Sequence, residues 1–448
     1  MSMRMEGMAL EPREVPRSPL AGRFTLGAVG DLIYLRPMAR TLRAQQPGLL
    51  RELARADVLF GNLETAILDI DAFDGAPQAE SGGTWMHADP RVAADLRALG
   101  FSVVGLANNH ATDWGTEGLL ETVRRLDRAG LPSAGAGRTS SGARAATYLD
   151  VEQGRIAVLA ATATFTPMSP AADPFGRVPA RAGISVLRTV ETSVVSPQDY
   201  AVLTRLAAAG SYSNSIREGS LRLMGGEFVA DESLGPGEVR IEHRTDESDA
   251  AEILTAIRQA RQNSSFVVFS FHSHEPDNGA QPAPFAAEFA RRAVDAGADV
   301  VVGHGPHQLR GIELYRGAPI FHSLGNFAMM SNSLDVVTRD TYRLYGADPA
   351  DVTVPELLSA RNATIFADPV LDEALLPLLH YDEGELTEIE LLPLDLGRGT
   401  AGAAHGTPRL AAPAVAEPLL ERVAALSAPF GTRLTLLGDR AAIRPSMG

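Results

Sequence analysis

Apolar runs of β-type residues recur along this chain, and one after another they stop at a polar cluster. Thr25–Val29 runs into Gly30-Asp31, Val58–Phe60 into Gly61-Asn62-Leu63-Glu64, and Val103–Ala107 into Asn108-Asn109-His110. Further on, Ser265–Phe271 runs into His272-Ser273-His274, Val300–Val302 into Gly303-His304-Gly305-Pro306-His307, and Pro319–Phe321 into His322 and then Asn326. Short apolar runs of this kind are buried strands, and open α/β sheets bind their ligands at the carboxyl ends of strands. The chain must therefore fold so that strand ends from distant segments share one edge. Six of the ten histidines lie in these clusters, and repeated imidazole, carboxylate and carboxamide at such an edge point to a metal centre.

Helical patterns separate the strands: Met38–Ala56, Pro90–Leu99 and Glu117–Ala129 in the first half, Ser248–Gln262 and Pro284–Ala296 in the second. In the third of these Leu119, Leu120, Val123 and Leu126 share a face, and Gly130 supplies a stop. Such alternation predicts an α/β fold of parallel or mixed sheet covered by helices. Arg155–Ala163 reads as another strand, Glu385–Leu394 as an edge strand, Pro418–Ser427 as a helix and Arg433–Leu437 as a closing strand, with helices and irregular structure over residues 334–380. Residues 1–23 read as a disordered arm and 24–448 as one catalytic domain. Within it, prolines and the Tyr212-Ser213-Asn214-Ser215 stretch mark 165–249 as an irregular insertion beside the site or a surface loop, and 385–448 forms a C-terminal extension.

Composition narrows the chemistry. The chain contains neither lysine nor cysteine, which excludes an internal Schiff base, a phosphate-loop lysine, a thiol nucleophile, a disulfide and thiolate metal ligation. Catalysis falls to Asp, Glu, His, hydroxyls or a metal. A net charge of −15, from 55 acidic against 40 basic residues, argues against a nucleic-acid or anionic-membrane partner. No run is apolar enough for a signal core or a membrane span, so the expectation is a cytoplasmic protein; nothing in the sequence speaks to oligomeric state.

Each cluster also has an ordinary explanation. Asp31 alone could cap a turn, and Glu64 could start a helix or, two residues from Asn62, share its face and bridge two ions. Asn108-Asn109-His110 favours function: a carboxamide can ligate while the imidazole, oriented by Asp113, moves a proton. A lone buried histidine is usually just hydrogen-bonded, but the paired His272/His274 and His304/His307 favour metal. His322 and Asn326 read as substrate or outer contacts or as packing. For Trp85, His87, Tyr212, Arg310 and Tyr315, candidates for a pocket wall, ordinary packing is the better explanation.

These clusters, in this order, resemble the poly-γ-glutamate capsule (CapA-type) family of calcineurin-like metallophosphatases. The matching stretches are Gly30-Asp31, Asn62-Leu63-Glu64, Asn108-Asn109-His110-Ala111-Thr112-Asp113, the His272 strand end, Ala296 to His307, Ser323-Leu324-Gly325-Asn326-Phe327 and Ser427 to Thr432, covering nearly everything after Arg23. The resemblance implies a four-layer α-β-β-α sandwich with two mixed sheets and one or two divalent metal ions, with Zn, Mn, Fe and Co not distinguished. It further implies Asp31, Glu64, Asn109, His272 and His304 as ligands, His274 or His307 completing the set, and His110 as the proton-transferring histidine. Asp113 and His307 join His110 as expected catalytic groups, and Asn62, Asn108, Trp85, Arg310 and Asn326 are the expected substrate contacts. One departure stands out. The superfamily usually opens with Asp-x-His, but Asp31 is followed by Leu32 and Ile33, which counts against ordinary phosphoester hydrolysis.

The expected substrate is a peptide. Within the family the chain is similar to enzymes that epimerise a residue of a ribosomal peptide, as in lasso-peptide maturation, so Cα epimerisation is the first expectation. Metal-dependent hydrolysis of a phosphoester, an amide or poly-γ-glutamate is the alternative, and a metal-stabilised peptide-binding module the non-enzymatic one.

Overall fold

The computed structural model describes residues 17–210, 215–217, 219–397, 400 and 404–445. Five strands end at the site, β1 (Arg23–Ile33), β2 (Val58–Leu63), β3 (Val103–Gly105), β4 (Phe266–His272) and β5 (Val300–His304), and β6 (Asn326–Met329) starts there. β1, β2, β3 and β6 belong to a ten-stranded mixed sheet, in which β1 lies parallel to β2 and antiparallel to Glu373–Asp382. β4 and β5 lie parallel in a six-stranded mixed sheet.

Alternation of side chains builds the layers. Phe24, Leu26 and Ala28 of β1 and Val58 and Phe60 of β2 share one buried cluster with Phe266, Val268, Val300 and Val302 of the other sheet. The intervening Val29, Leu59 and Val104 pack outward on Leu42, Leu49 and Leu96 of the first-half helices. On the far side Val267, Phe269 and Val301 pack on Ile253, Ile257, Phe289 and Val294 of Glu247–Gln262 and Pro284–Ala296. The order is helix, sheet, sheet, helix, a four-layer α-β-β-α sandwich with two mixed sheets, as expected.

Several sequence expectations need correction. Residues 1–16 of the expected disordered arm lie outside the described residues, but Arg17 pairs with Asp299 at 2.6 Å and Leu20 is buried. Met38–Ala56 is two helices, Ala39–Gln45 and Pro47–Leu53, because Pro47 restarts the helix. Within the expected irregular insertion, five strands from Thr189 to Thr245 form a sheet of their own with the helix Pro197–Ala209; Tyr212 to Asn214 lie outside the described residues. Glu385–Asp395 is no edge strand, since it lies between Glu373–Asp382 and Ala441–Ile443 inside the large sheet. The last helix begins at Pro413, and Pro418, read as its start, lies inside it. Among the described residues no helix is long and apolar enough to cross a membrane.

Candidate metal centre

The same period of two that buries the strands delivers the ligands. Continuing inward from Val58 and Phe60 brings Asn62, from Val268 and Ser270 brings His272, and from Val302 brings His304, with His272 and His304 side by side in register. β1 breaks the rule. Ala28 pairs with Phe60 but Asp31 with Asn62, so three residues span what two span on β2; this bulge turns Asp31 inward in place of Gly30. Gly30 is required there, because a Cβ on it would lie 1.8 Å from the carbonyl oxygen of Gly325.

Asp31, Glu64, His272, His304 and His307 converge from both sheets. His272 Nδ1 and His304 Nδ1 lie 3.8 and 4.0 Å from Asp31 Oδ1, and His272 Nε2 lies 3.9 Å from Glu64 Oε1. Two overlapping groups could each hold a cation, Glu64 with His272 and His274, and Asp31 with Glu64 and His307. Both oxygens of Glu64, Asn109 Oδ1, the Nε2 atoms of His272 and His274, and both ring nitrogens of His304 are buried without a hydrogen-bond partner among the described residues. Buried polar atoms are otherwise almost always satisfied, so this set of oxygen and imidazole donors fits a divalent ion.

Electrostatics agree. Burial pushes the Glu64 carboxyl well above the usual carboxylate range, and the charges of Asp31 and Asp113 add to it. Asp31 is raised by burial against the pull of His304 and Asn62. Burial holds His304 and His307 down to about 4 and His274 to about 3, while burial and then the neighbouring imidazoles hold His272 well below its ordinary value. The imidazoles are thus neutral, as metal ligands must be.

Two imidazoles are arranged differently. His110 Nδ1 sits 2.8 Å from Asp113 Oδ2, which also accepts from Met86 N at 2.6 Å, and burial pushes Asp113 up to about 6 against the pull of His110. His307 Nδ1 sits 2.9 Å from Asn326 Oδ1. Asn326 Nδ2 donates to the carbonyls of His307 and Leu371, so its oxygen must accept and Nδ1 carries the proton. The Nδ1 of His307 also lies 3.7 Å from Asp31, but that nitrogen is committed to Asn326, which leaves Nε2 free to ligate or to accept a proton. His307 holds a left-handed backbone, φ 58°, a strain that clusters at functional sites. His110, His274, His307 and Asn109 line one cleft of about 720 Å³ with Ser81, Gly82, Asn278, Tyr345, Arg361 and Phe366.

The expected substrate contacts lie elsewhere. Asn62 Nδ2 donates to Asp31 Oδ1 at 2.7 Å, and Asn108 donates to Asn62 and to the Leu63 carbonyl. These two asparagines and Asn326 therefore orient other site residues. Arg310 is buried with its guanidinium on the carbonyls of Asp277 and Gly279, bracing the loop that carries His274. Trp85 packs with Ala66, Leu68 and Trp114 away from the cleft, and His322 stacks on Phe430 beside Glu313. Sequence reasoning missed Ser81, which accepts from Asn109 at 3.0 Å, and Asn278, 2.6 Å from His274 Nδ1; neither stands in a strand-end cluster. Arg361 was missed as well, and no motif surrounds it.

Comparison with known proteins places this geometry. The profile of a family described as "Bacterial capsule synthesis protein PGA_cap" matches residues 25–331. Two Sinorhizobium fredii proteins, named as uncharacterized proteins y4sH and y4uA, are each 40% identical over 427 residues, 92% of this chain and 91% of theirs. The capsule biosynthesis protein CapA of Bacillus anthracis is 26% identical over 68% of this chain and 59% of its own length. A Mycoplasma pneumoniae phosphatase of known structure aligns over 84% of this chain and 95% of its own, at 11% identity and a TM-score of 0.38.

Proposed function

The chain belongs to the bacterial capsule synthesis protein PGA_cap family, and from that premise we propose that it is a metal-dependent acid–base enzyme that epimerises a residue of a peptide by removing and returning its α-proton. One observation carries the reading: His110 and His307 line the same cleft from different sheets, and each has its Nδ1 committed to a fixed partner. Inversion at Cα needs this, one imidazole to take the proton from one face and a second to supply it to the other. A divalent cation held by Asp31, Glu64, Asn109, His272 and His304 would supply Lewis acidity to a substrate carbonyl or carboxylate oxygen and so acidify the adjacent Cα–H. Asp113 orients His110 through its Nδ1; Asn326 fixes the tautomer in which His307 Nε2 accepts. A Cβ on Gly82 would lie in contact with His110 Nε2, at 3.6 Å, so the glycine keeps a side chain off that nitrogen at the cleft rim.

Hydrolysis is the second reading. It is favoured by Glu64 belonging to both cation-holding groups, a bridging arrangement suited to activating water, and by relatives named for capsule and PGA biosynthesis, which points to a polyamide. The deciding experiment incubates the Mn- or Zn-loaded protein with ribosomal precursor peptides and with γ-linked glutamate oligomers in heavy water. Expected is α-deuterium uptake at unchanged peptide length, lowered about 10²- to 10⁴-fold by His110→Ala. Cleaved fragments without deuterium uptake would replace epimerisation by hydrolysis.

A further inference from the structure

The helix Val354–Ile365 turns Leu357, Leu358 and Arg361 inward, so a guanidinium occupies the place in an apolar stripe where the spacing calls for a third aliphatic side chain. Arg361 is 2% exposed, and its Nε and both Nη atoms are buried without a hydrogen-bond partner. Its neighbours do not neutralise it. It lies over the Phe366 ring at 5.0 Å. The Tyr345 hydroxyl donates to the Gly83 carbonyl at 3.0 Å, and the Asp368 carboxylate, in the same cleft, accepts from Val370 N at 3.0 Å. An unpaired buried guanidinium is costly, and the side chain lines the cleft that also holds Asn109, His110, His274 and His307.

We propose that Arg361 is the recognition point for a carboxylate of the substrate, gripping it while the neighbouring carbon is presented to the two imidazoles. Apart from Tyr345 and Asp368, the wall around it is apolar, formed by Leu344, Ile365, Phe366, Val370 and Leu371, so an entering anion is largely desolvated on arrival and its pairing with the guanidinium strengthened. The planar fork matches a carboxylate in bidentate fashion. Among the described residues lining this cleft Arg361 is the only side chain of the Lys/Arg type, which suits a monoanion and would leave a phosphate dianion half neutralised. The carboxylate comes from the end of the chain or from an acidic side chain close to the reacting residue. This rests on the cleft being the substrate site of the proposed enzyme.

The test is equilibrium dialysis of the full chain against octapeptide pools made as free acids or C-terminal amides, each with Glu and Asp or with Gln and Asn in its side chains. Wild type is expected to retain a carboxylate-bearing pool at least tenfold better than the pool lacking all carboxylates, and the arm that does so identifies the source. Arg361→Met should abolish that preference while melting at or above the wild-type temperature, since it removes an unpaired buried charge; His110→Ala should keep the preference. Arg361→Lys, which keeps the charge and loses the fork, should weaken it at least threefold and serves as the test if the methionine variant does not fold. Preference that survives Arg361→Met, no preference in wild type, or inorganic phosphate competing as well as the peptides would overturn the proposal. Binding is read without turnover, so Arg361-dependent retention with no deuterium exchange would sink the epimerase reading alone.

Discussion

Glu64 faces Asp31 and Asp113 in a fully buried setting, and neither of its oxygens is reached by a protein donor. Burial and those charges therefore favour the protonated form of this carboxyl in the metal-free protein, whereas His272, His274, His304 and His307 are held below their ordinary value. Cation binding would then displace a proton from Glu64. Titrating the metal-free protein with Zn or Mn at pH 7 in weak buffer should release about one proton per Glu64-bound site, and Glu64→Gln should release none; release that persists in the variant would move the titrating group elsewhere. The candidate ligands stood out in sequence because imidazole and carboxylate are rare at the ends of apolar strands. The asparagines were not assignable, since a carboxamide can ligate, bind substrate or orient a neighbour, and only the partners seen around Asn62, Asn108 and Asn326 decide.

Among the elements, β1 shows where periodicity stops being enough. Alternation from Phe24 through Ala28 predicts Gly30 inward and Asp31 outward; the bulge reverses this, and nothing local except Gly30 itself announces it. Gly30 lets β1 and the Gly325 turn before β6 approach more closely than a Cβ allows. Gly30→Ala should cost about 3 kcal/mol and, by displacing Asp31, weaken metal binding as well; denaturant melts and metal titration of the variant read the two effects separately, and wild-type values in both would discount the bulge. The strand Glu373–Asp382 was hidden for the opposite reason: Pro377 and a leucine-rich run argue against a central strand. Its pairing with β1 runs only from Leu378 to Asp382, so the proline ring falls just past the ladder that needs N–H donors.

For the whole molecule, the site sets how stability follows pH. Four imidazoles, His272, His274, His304 and His307, have native pKa values depressed below 6.5, so between about pH 4 and 6.5 the unfolded chain binds their protons and the native one does not. Asp31, Glu64 and Asp113 are raised and oppose this, the native state holding protons that the unfolded chain releases. His87 and His322 are lowered as well, so the imidazoles outnumber the raised carboxyls, and metal-free protein should lose stability as pH falls through that window. Melting temperatures rising on acidification would contradict the count. The inserted sheet stands apart from this economy. Its first and last strands, Thr189–Val195 and Val239–Thr245, pair along their full length, and Asp246 N reaches the Arg188 carbonyl at 2.8 Å where the excursion leaves and rejoins the sandwich. Ala207, Leu221 and Leu223 give it a small core of its own, while the junction is held from the sandwich side by Asp249 on Arg144 and Arg188. Val190, Val239 and Ile241 are exposed on it. Replacing residues 189–245 by a short glycine-rich turn should therefore leave a folded protein whose metal affinity matches the full chain. Calorimetry and metal titration of the shortened chain check this, and a chain that no longer folds would make the insertion part of the core rather than an addition to it.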